Sequence, residues 1–91
     1  MSPESIEDLR NLRADARAAV RDALEVHLRY EPTKTSKSRI RRLRGLSRPE
    51  YRLRVGEVRV FYNVAGESVE VLAVVLKSQA EDWLNRMGEE R

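Results

Sequence analysis

Three arginines within residues 51–62, YRLRVGEVRVFY, have the type and spacing to bind an anion. Polar and apolar residues alternate here, as is typical of β-strands, and the central Gly-Glu pair suits a two-residue hairpin turn. Such a hairpin would pair Arg54 with Arg59 and Arg52 with Phe61, with all four on one face. Guanidinium groups this close repel one another unless an anion lies between them. The pattern predicts a phosphate or carboxylate site, and an ordinary solvated sheet face is the alternative.

The same hairpin predicts a second face that is entirely apolar or aromatic. A face of this kind has to be buried, so the helices of the chain should pack against it. Its predicted pairs are Val55 with Val58, Leu53 with Val60, and Tyr51 with Tyr62.

Positive charge is concentrated in one segment of the chain. Residues 29–54 contain ten basic and two acidic side chains, a net charge of +8, whereas the other 65 residues carry a net charge of −5. A focused basic segment favours a polyanionic partner, because Lys and Arg contacts to phosphates release condensed counterions. An acidic protein partner is the alternative.

The composition limits the chemistry that is available. The chain has no cysteine, so it can form neither a disulfide nor a thiolate metal site, in agreement with a reducing cytoplasm. His27 is the only histidine, and its position in an apolar helical stretch favours a structural role. No apolar run approaches the roughly 20 residues that span a bilayer, and the N-terminus lacks the pattern of a leader. We therefore expect a soluble cytoplasmic protein with no metal, no cofactor and no membrane association.

The spacing of apolar residues predicts a single domain, residues 1–91, that begins with two helices. Ser2-Pro3 has the composition of a helix start, and apolar residues then recur every three or four positions as far as Leu28. One unbroken helix would be about 42 Å long, but a compact domain of this size is only about 32 Å across. We therefore expect a break at residues 11–15, and an end before Pro32.

The second half of the chain predicts an antiparallel sheet and a closing helix. The segment VEVLAVVL is apolar on both faces, which favours a central strand, and Ser78 with Glu81 has the pattern of a capping box for a helix over Gln79–Met87, with Trp83 and Leu84 toward the core. The expected fold is α+β: a helical hairpin packed on a three- to four-stranded antiparallel sheet, with a short C-terminal helix. Strands are expected at about 50–55, 57–64 and 68–76, a turn at 45–49, and a basic loop that becomes ordered near Ile40 and Leu43.

This order of elements, together with the motif LRG followed by YRLRVGEVRVFY, resembles the RelE/ParE toxin superfamily of bacterial type II toxin–antitoxin systems, and more closely its RelE-like branch. The resemblance covers nearly the whole chain. Members similar to RelE are ribosome-dependent endoribonucleases that cut mRNA without a metal and so inhibit translation. Members similar to ParE share the fold and act on DNA gyrase. The resemblance implies a toxin whose partners are a cognate antitoxin, the ribosome and mRNA.

The position of Arg59 in the hairpin carries a separate expectation. Because Arg59 lies on the polar face, we expect that removal of its side chain leaves no cavity.

The resemblance also implies roles for individual residues. Trp83 stands where RelE-like enzymes have a tyrosine, and an indole N–H cannot exchange a proton as a phenol can, so stacking on a base is the role that survives. A ParE-like gyrase inhibitor and a toxin-fold module without activity remain open. The implied catalytic residues are Arg52, Arg54, Arg59, Lys77 and Trp83, and the candidate RNA-binding residues are Lys37, Arg39, Arg41, Arg42, Arg44 and Phe61.

The start of the chain departs from the family pattern. Relatives usually begin with an edge strand before the first helix, whereas this sequence begins directly at SPES. We expect either that the strand is missing here or that another chain covers the sheet edge, because an unpaired edge would be exposed. Association with itself or with the antitoxin is left open.

Overall fold

The polypeptide forms an α+β fold in which helices cover both faces of an antiparallel sheet. A computed structural model describes residues 1–36 and 39–90, and Lys37 therefore lies outside the described residues. A π-helical turn, Leu24–Leu28, continues the second helix. In chain order the elements are α1 (Pro3–Arg10), α2 (Ala14–Ala23), β1 (Ile40–Arg42), β2 (Leu46–Arg48), β3 (Tyr51–Val55), β4 (Val58–Ala65), β5 (Ser68–Leu76), α3 (Lys77–Met87) and β6 (Glu89–Glu90).

The N-terminal helical hairpin forms as predicted. The Ser2 hydroxyl accepts a hydrogen bond from the Ser5 backbone N–H, which caps α1, and Pro3 occupies its first turn. The helix is then interrupted between Arg10 and Ala14. The Arg17 guanidinium donates to the Leu12 carbonyl across this break at 3.0 Å. The break lets two short helices fold back on each other inside a molecule whose radius of gyration is 12.0 Å.

The predicted register of the β3–β4 hairpin is confirmed at all five pairs, including Arg54 with Arg59 and Arg52 with Phe61. Gly56 in the turn has a φ of +57°, a conformation that glycine adopts without strain. The strand order of the main sheet is β1-β3-β4-β5. The hairpin therefore lies at the centre of the sheet, and its two faces can be assigned from sequence.

The apolar face of the hairpin forms the core with the N-terminal helices. The helices contribute Leu9, Val20 and Leu28, which are all buried. Tyr51 and Tyr62 stack with ring centroids 5.4 Å apart, and the Tyr62 hydroxyl donates to the Pro32 carbonyl at 2.6 Å. The core residues of the sheet are Ile40, Tyr51, Leu53, Val58, Val60, Tyr62, Val71 and Val74.

The prediction that β5 is central is wrong, because β5 forms one edge of the main sheet. It is apolar on both sides because both α1 and α3 contact it. Helix α1 also serves the edge itself. The Ser2 backbone N–H donates to the Val71 carbonyl at 3.0 Å, the Ser2 hydroxyl donates to the Leu72 carbonyl, and the Asp8 carboxylate accepts from the Val74 N–H at 3.0 Å. These bonds occupy part of a sheet edge, for which the sequence led us to expect either a missing strand or a second chain as cover.

Two further predictions differ from the structure. Residues 46–48, expected within a turn, form β2, which pairs with β6 in a separate two-stranded sheet. Helix α3 begins at Lys77 and not at Gln79, and no side chain caps it. The Lys77 N–H instead donates to the Glu57 carbonyl at 2.7 Å, so the tertiary contact takes the place of the predicted capping box.

Candidate functional site

Four arginines lie side by side on the outer face of the main sheet, opposite the helical hairpin. Strand pairing places Arg41 next to Arg52, and Arg54 next to Arg59. We call these four residues the arginine face. It continues toward β5 through Phe61, which pairs with Ala73, and through Arg59, which pairs with Val75. Three of the implied catalytic residues are thus brought together, and they are joined by Arg41 from the basic segment.

The charges of the arginine face are not neutralised within the described part of the chain. No ion pair there involves any of the four arginines, and the Nε of Arg52 is buried without a hydrogen-bond partner. Burial, and then the neighbouring charges of Arg41, Arg59 and Arg54, lower the pKa of Arg52 from its ordinary value. A bound anion would accept a hydrogen bond from the unpaired Nε of Arg52 and would also neutralise the repulsion among the four guanidinium groups.

Arg59 is the most buried of the four, with 8% of its surface exposed. Its Nη1 donates to the Gly56 carbonyl at 2.8 Å and to the Val58 carbonyl at 3.1 Å. The expectation that its removal leaves no cavity is therefore wrong, because the side chain packs onto the hairpin turn. Nη1 of its guanidinium binds the hairpin turn, and the other N–H groups of the guanidinium can bind a ligand.

Lys77 lies at the same turn. It is exposed at the start of α3, and its backbone N–H binds the carbonyl of Glu57, the residue after Gly56. The turn therefore holds both Arg59 and the first residue of α3. This arrangement fixes where α3 begins relative to the arginine face.

Trp83 lies against the outer face of the sheet and not in the core beneath it. Its indole stacks on Phe61 with ring centroids 4.9 Å apart and an interplanar angle of 4°, and Phe61 is fully buried. Because the indole covers Phe61, Trp83 is the aromatic residue of this pair that could stack on a base. A groove of about 420 Å³ runs beside the indole, and its lining residues are Val75, Gln79, Asp82, Trp83, Asn85 and Arg86.

The candidate RNA-binding residues do not all share one surface, although Arg41, Arg42 and Arg44 line one groove of about 570 Å³ at the β1 edge of the sheet. Arg41 belongs to the arginine face, and Arg39 and Arg44 are exposed outside it. Arg42 points to the other side of the sheet, where it lies 5.2 Å from the centre of the Tyr51 ring and 3.7 Å from the Glu50 carboxylate. The basic side chains of β1 therefore lie on both faces of the sheet, because successive side chains along a strand point to opposite faces.

His27 contacts the basic segment, which sequence reasoning did not predict. Its Nε2 lies 2.6 Å from Nη1 of Arg39. The π-helical turn that carries His27 has no recognisable sequence signal, so only the structure shows this contact. Within residues 1–36 and 39–90, no group of three or more His, Cys, Asp or Glu side chains is placed to hold a metal ion, and no helix there is long and apolar enough to cross a membrane.

A second candidate surface is the groove on the helical hairpin. It has a volume of about 570 Å³, and its apolar floor lies between basic and acidic side chains. Ile6 on α1, Val26 on the π-helical turn and Tyr30 just after that turn are exposed, Tyr30 to 75%. The groove is lined by Met1, Ile6, Leu9, Arg21, Leu24, Glu25 and Arg29.

Comparison with known proteins agrees with this architecture. No curated protein matches the sequence. Among solved structures, a chain of the RelB–RelE antitoxin–toxin complex from Methanococcus jannaschii is similar, with a TM-score of 0.71 and 20% sequence identity over 90% of this chain and 94% of that one. At this identity the similarity concerns the fold. The sequence model for the ParE toxin of the type II toxin–antitoxin system parDE matches residues 1–83, and the chain therefore belongs to the ParE toxin family.

Proposed function

We propose that this toxin inhibits translation by binding mRNA on the ribosome and cleaving it at the arginine face. The observation that carries the proposal is the set of four adjacent arginines without an acidic partner among the described residues. A phosphodiester is an anion that fits such a surface, because guanidinium groups bind phosphate oxygens in pairs. The groove beside Trp83 adjoins this surface through Val75 and offers the indole to a neighbouring base.

The reaction that suits these residues is attack of a ribose 2′-oxygen on the adjacent phosphorus. The new O–P bond forms as the bond to the 5′-oxygen of the next nucleotide breaks, which leaves a 2′,3′-cyclic phosphate and a 5′-hydroxyl. Negative charge builds up on the phosphorane oxygens in the transition state. Arg52, Arg54 and Arg59 would stabilise this charge through hydrogen bonds that are already oriented by the sheet.

Proton transfer has to involve other groups. Arginine remains protonated at neutral pH even when its pKa is lowered, so Arg52 is a poor base. We assign this step to Lys77, which begins α3 beside the hairpin turn, or to a group of the ribosome. Because Arg52 stabilises charge and does not transfer the proton, Arg52→Gln should lower kcat without changing how kcat depends on pH.

Mapping of mRNA 5′ ends after induction of the toxin in growing cells tests the proposal. New ends should appear at fixed positions within translated codons, and they should disappear in Arg52→Gln and Arg54→Gln variants that stay folded. Arg10→Gln is the matched control, because Arg10 is an exposed arginine on α1, away from the arginine face. Growth arrest without new mRNA ends would contradict cleavage.

The second candidate function is inhibition of DNA gyrase, as in ParE-like members of the superfamily. The family match and Trp83, which stands where RelE-like enzymes have a tyrosine, both favour it. A supercoiling assay with purified gyrase separates the two candidates. Inhibition of supercoiling at toxin concentrations that leave mRNA intact would favour gyrase as the target.

We also propose that the cognate antitoxin binds the groove of the helical hairpin. Its apolar floor suits the apolar side of an amphipathic helix, and Arg21 at the groove suits an acidic residue on that helix. Acidic residues that extend to the arginine face would neutralise it. Affinity should fall as salt is added, because these charges are exposed, and an affinity that does not change with salt would indicate a purely apolar interface.

A further inference from the structure

A separate cavity lies where the π-helical turn meets the end of the sheet. Its volume is about 290 Å³, and it is distinct from the groove beside Trp83. The mechanism above uses neither His27 nor Arg39, which both face it. Its lining residues are Ala23, His27, Arg39, Arg54, Val55 and Gly56.

The polar side chains around this cavity are those of two arginines and one histidine. Arginine can only donate hydrogen bonds, so the 2.6 Å contact from Nη1 of Arg39 requires His27 to accept at Nε2. Arg39 is a cation, and no acidic residue lines the cavity among the described residues.

Glu31, an acidic residue that lines a neighbouring cavity, is already paired. A neighbouring cavity of about 260 Å³ shares His27 and Arg39 and contains Glu31 and Lys34. The Glu31 carboxylate lies 3.1 Å from the Lys34 ammonium, so these two charges balance each other. Arg39 and Arg54 make none of the ion pairs found in the described part of the chain.

We propose that this cavity binds a phosphate of the RNA strand other than the scissile one, an inference that rests on the proposed function. Arg54 connects the two positions, because it belongs to the arginine face and also lines the cavity. Its backbone N–H donates to the Arg39 carbonyl at 2.8 Å, which fixes the two residues relative to each other. RNA that crosses the arginine face would thus meet a second pair of guanidinium groups beside the hairpin turn.

His27 acts here as a positioning residue. Its acceptor nitrogen binds one N–H of Arg39 and leaves the other N–H groups of that guanidinium for the phosphate. The π-helical turn places the imidazole next to Arg39, and such turns are frequent at functional sites. An acceptor at this position is what matters, so glutamine should substitute for His27 and alanine should not.

Titration with inorganic phosphate at constant ionic strength, followed by NMR of the backbone amide of Gly56, which lines the cavity, tests the cavity without RNA. The Gly56 amide signal should shift and saturate in the parent protein. Affinity should fall about tenfold in Arg39→Gln and in His27→Ala, return in His27→Gln, and stay unchanged in Arg10→Gln. A Gly56 signal that does not move, or that moves equally in Arg39→Gln, would overturn the site.

A second measurement separates RNA from free phosphate as the ligand. An RNA oligonucleotide with 2′-O-methyl groups cannot be cleaved by attack of its 2′-oxygen, so its binding reports affinity alone. Arg39→Gln should weaken this binding severalfold, with a melting temperature equal to that of the parent. Unchanged RNA affinity in a variant that has lost phosphate binding would overturn the RNA assignment. Saturable phosphate binding and oligonucleotide binding that depend on Arg39, in a toxin that cuts no mRNA, would instead contradict the proposed function and leave the cavity assignment in place.

Discussion

At the scale of single residues, the side chains of the arginine face are not equivalent. Arg54 is exposed, whereas Arg52 is half-buried and Arg59 is buried against the turn. A substitution at Arg59 therefore changes the fold as well as the charge of the site. Loss of activity in an Arg59 variant is informative only when the stability of that variant is measured too.

Arg59→Ala should lower the free energy of unfolding by about 1 to 3 kcal/mol, because it leaves the carbonyls of Gly56 and Val58 without this donor. Arg54→Ala, on the same face but exposed, should change it by less than about 0.5 kcal/mol. Urea denaturation of the two variants beside the parent makes the comparison. Equal stability of the two variants would show that the bonds of Arg59 to the turn contribute nothing.

Trp83→Ala should destabilise the protein by about 2 to 3 kcal/mol, since it uncovers the buried ring of Phe61. Trp83→Tyr keeps an aromatic ring on Phe61 and should retain stability, and it should retain or raise cleavage because it restores the residue of RelE-like enzymes. Thermal denaturation and the cleavage assay are run on the same preparations. A Trp83→Ala protein that melts like the parent but cannot cleave would make Trp83 a residue of the groove alone.

At the scale of elements, the features that could be predicted from sequence have local signals. The β3–β4 register follows from alternation around one glycine turn, and the start of α1 follows from Ser2 and Pro3. The pairing of β2 with β6 joins segments about forty residues apart and has no local signal. The true start of α3 depends on the Glu57 carbonyl in a distant turn. The arginine pairs could be predicted for the same reason as the register, whereas the contact of His27 with Arg39 depends on how the π-helical turn packs.

One of the hydrogen bonds that occupy the edge of β5 has a carboxylate as its acceptor. Asp8→Ala should lower the free energy of unfolding by about 1 to 3 kcal/mol, because the buried N–H of Val74 loses its acceptor. Asp15→Ala, at an exposed position, is the control and should change it by less than about 0.5 kcal/mol. Chemical denaturation checks both variants, and an effect no larger than the control would show that water replaces Asp8 at this edge.

Tyr62 links the sheet to the segment after the helices and makes stability depend on pH. Burial, and then Tyr51, raise the pKa of Tyr62 above its ordinary value. Its neutral form is favoured in the folded state, so this contribution is complete below about pH 10, the ordinary tyrosine value, and is lost as the pH rises above it. Tyr62→Phe should cost about 1 kcal/mol at neutral pH, and should lose less stability than the parent between neutral pH and pH 11. Parallel curves for the two proteins across that range would contradict the assignment.

At the scale of the whole molecule, two surfaces lie on opposite sides of one sheet. The arginine face with the Trp83 groove is on the outer side, and the apolar groove of the helical hairpin is on the other. In the proposed complex, an antitoxin would bind the helices with one segment and reach the arginine face with another. The net charge of +3 conceals the division, because acidic side chains outside residues 29–54 offset the basic segment.

The most direct test of the central proposal uses purified ribosomes that hold a 5′-labelled mRNA with a defined codon in the A site. The toxin should cut the message within that codon and leave a 2′,3′-cyclic phosphate on the upstream fragment. Arg52→Gln should abolish the cut, and Arg10→Gln should not. An intact message at toxin concentrations that stop growth, together with inhibition of gyrase supercoiling, would contradict the ribonuclease and assign the toxin to gyrase.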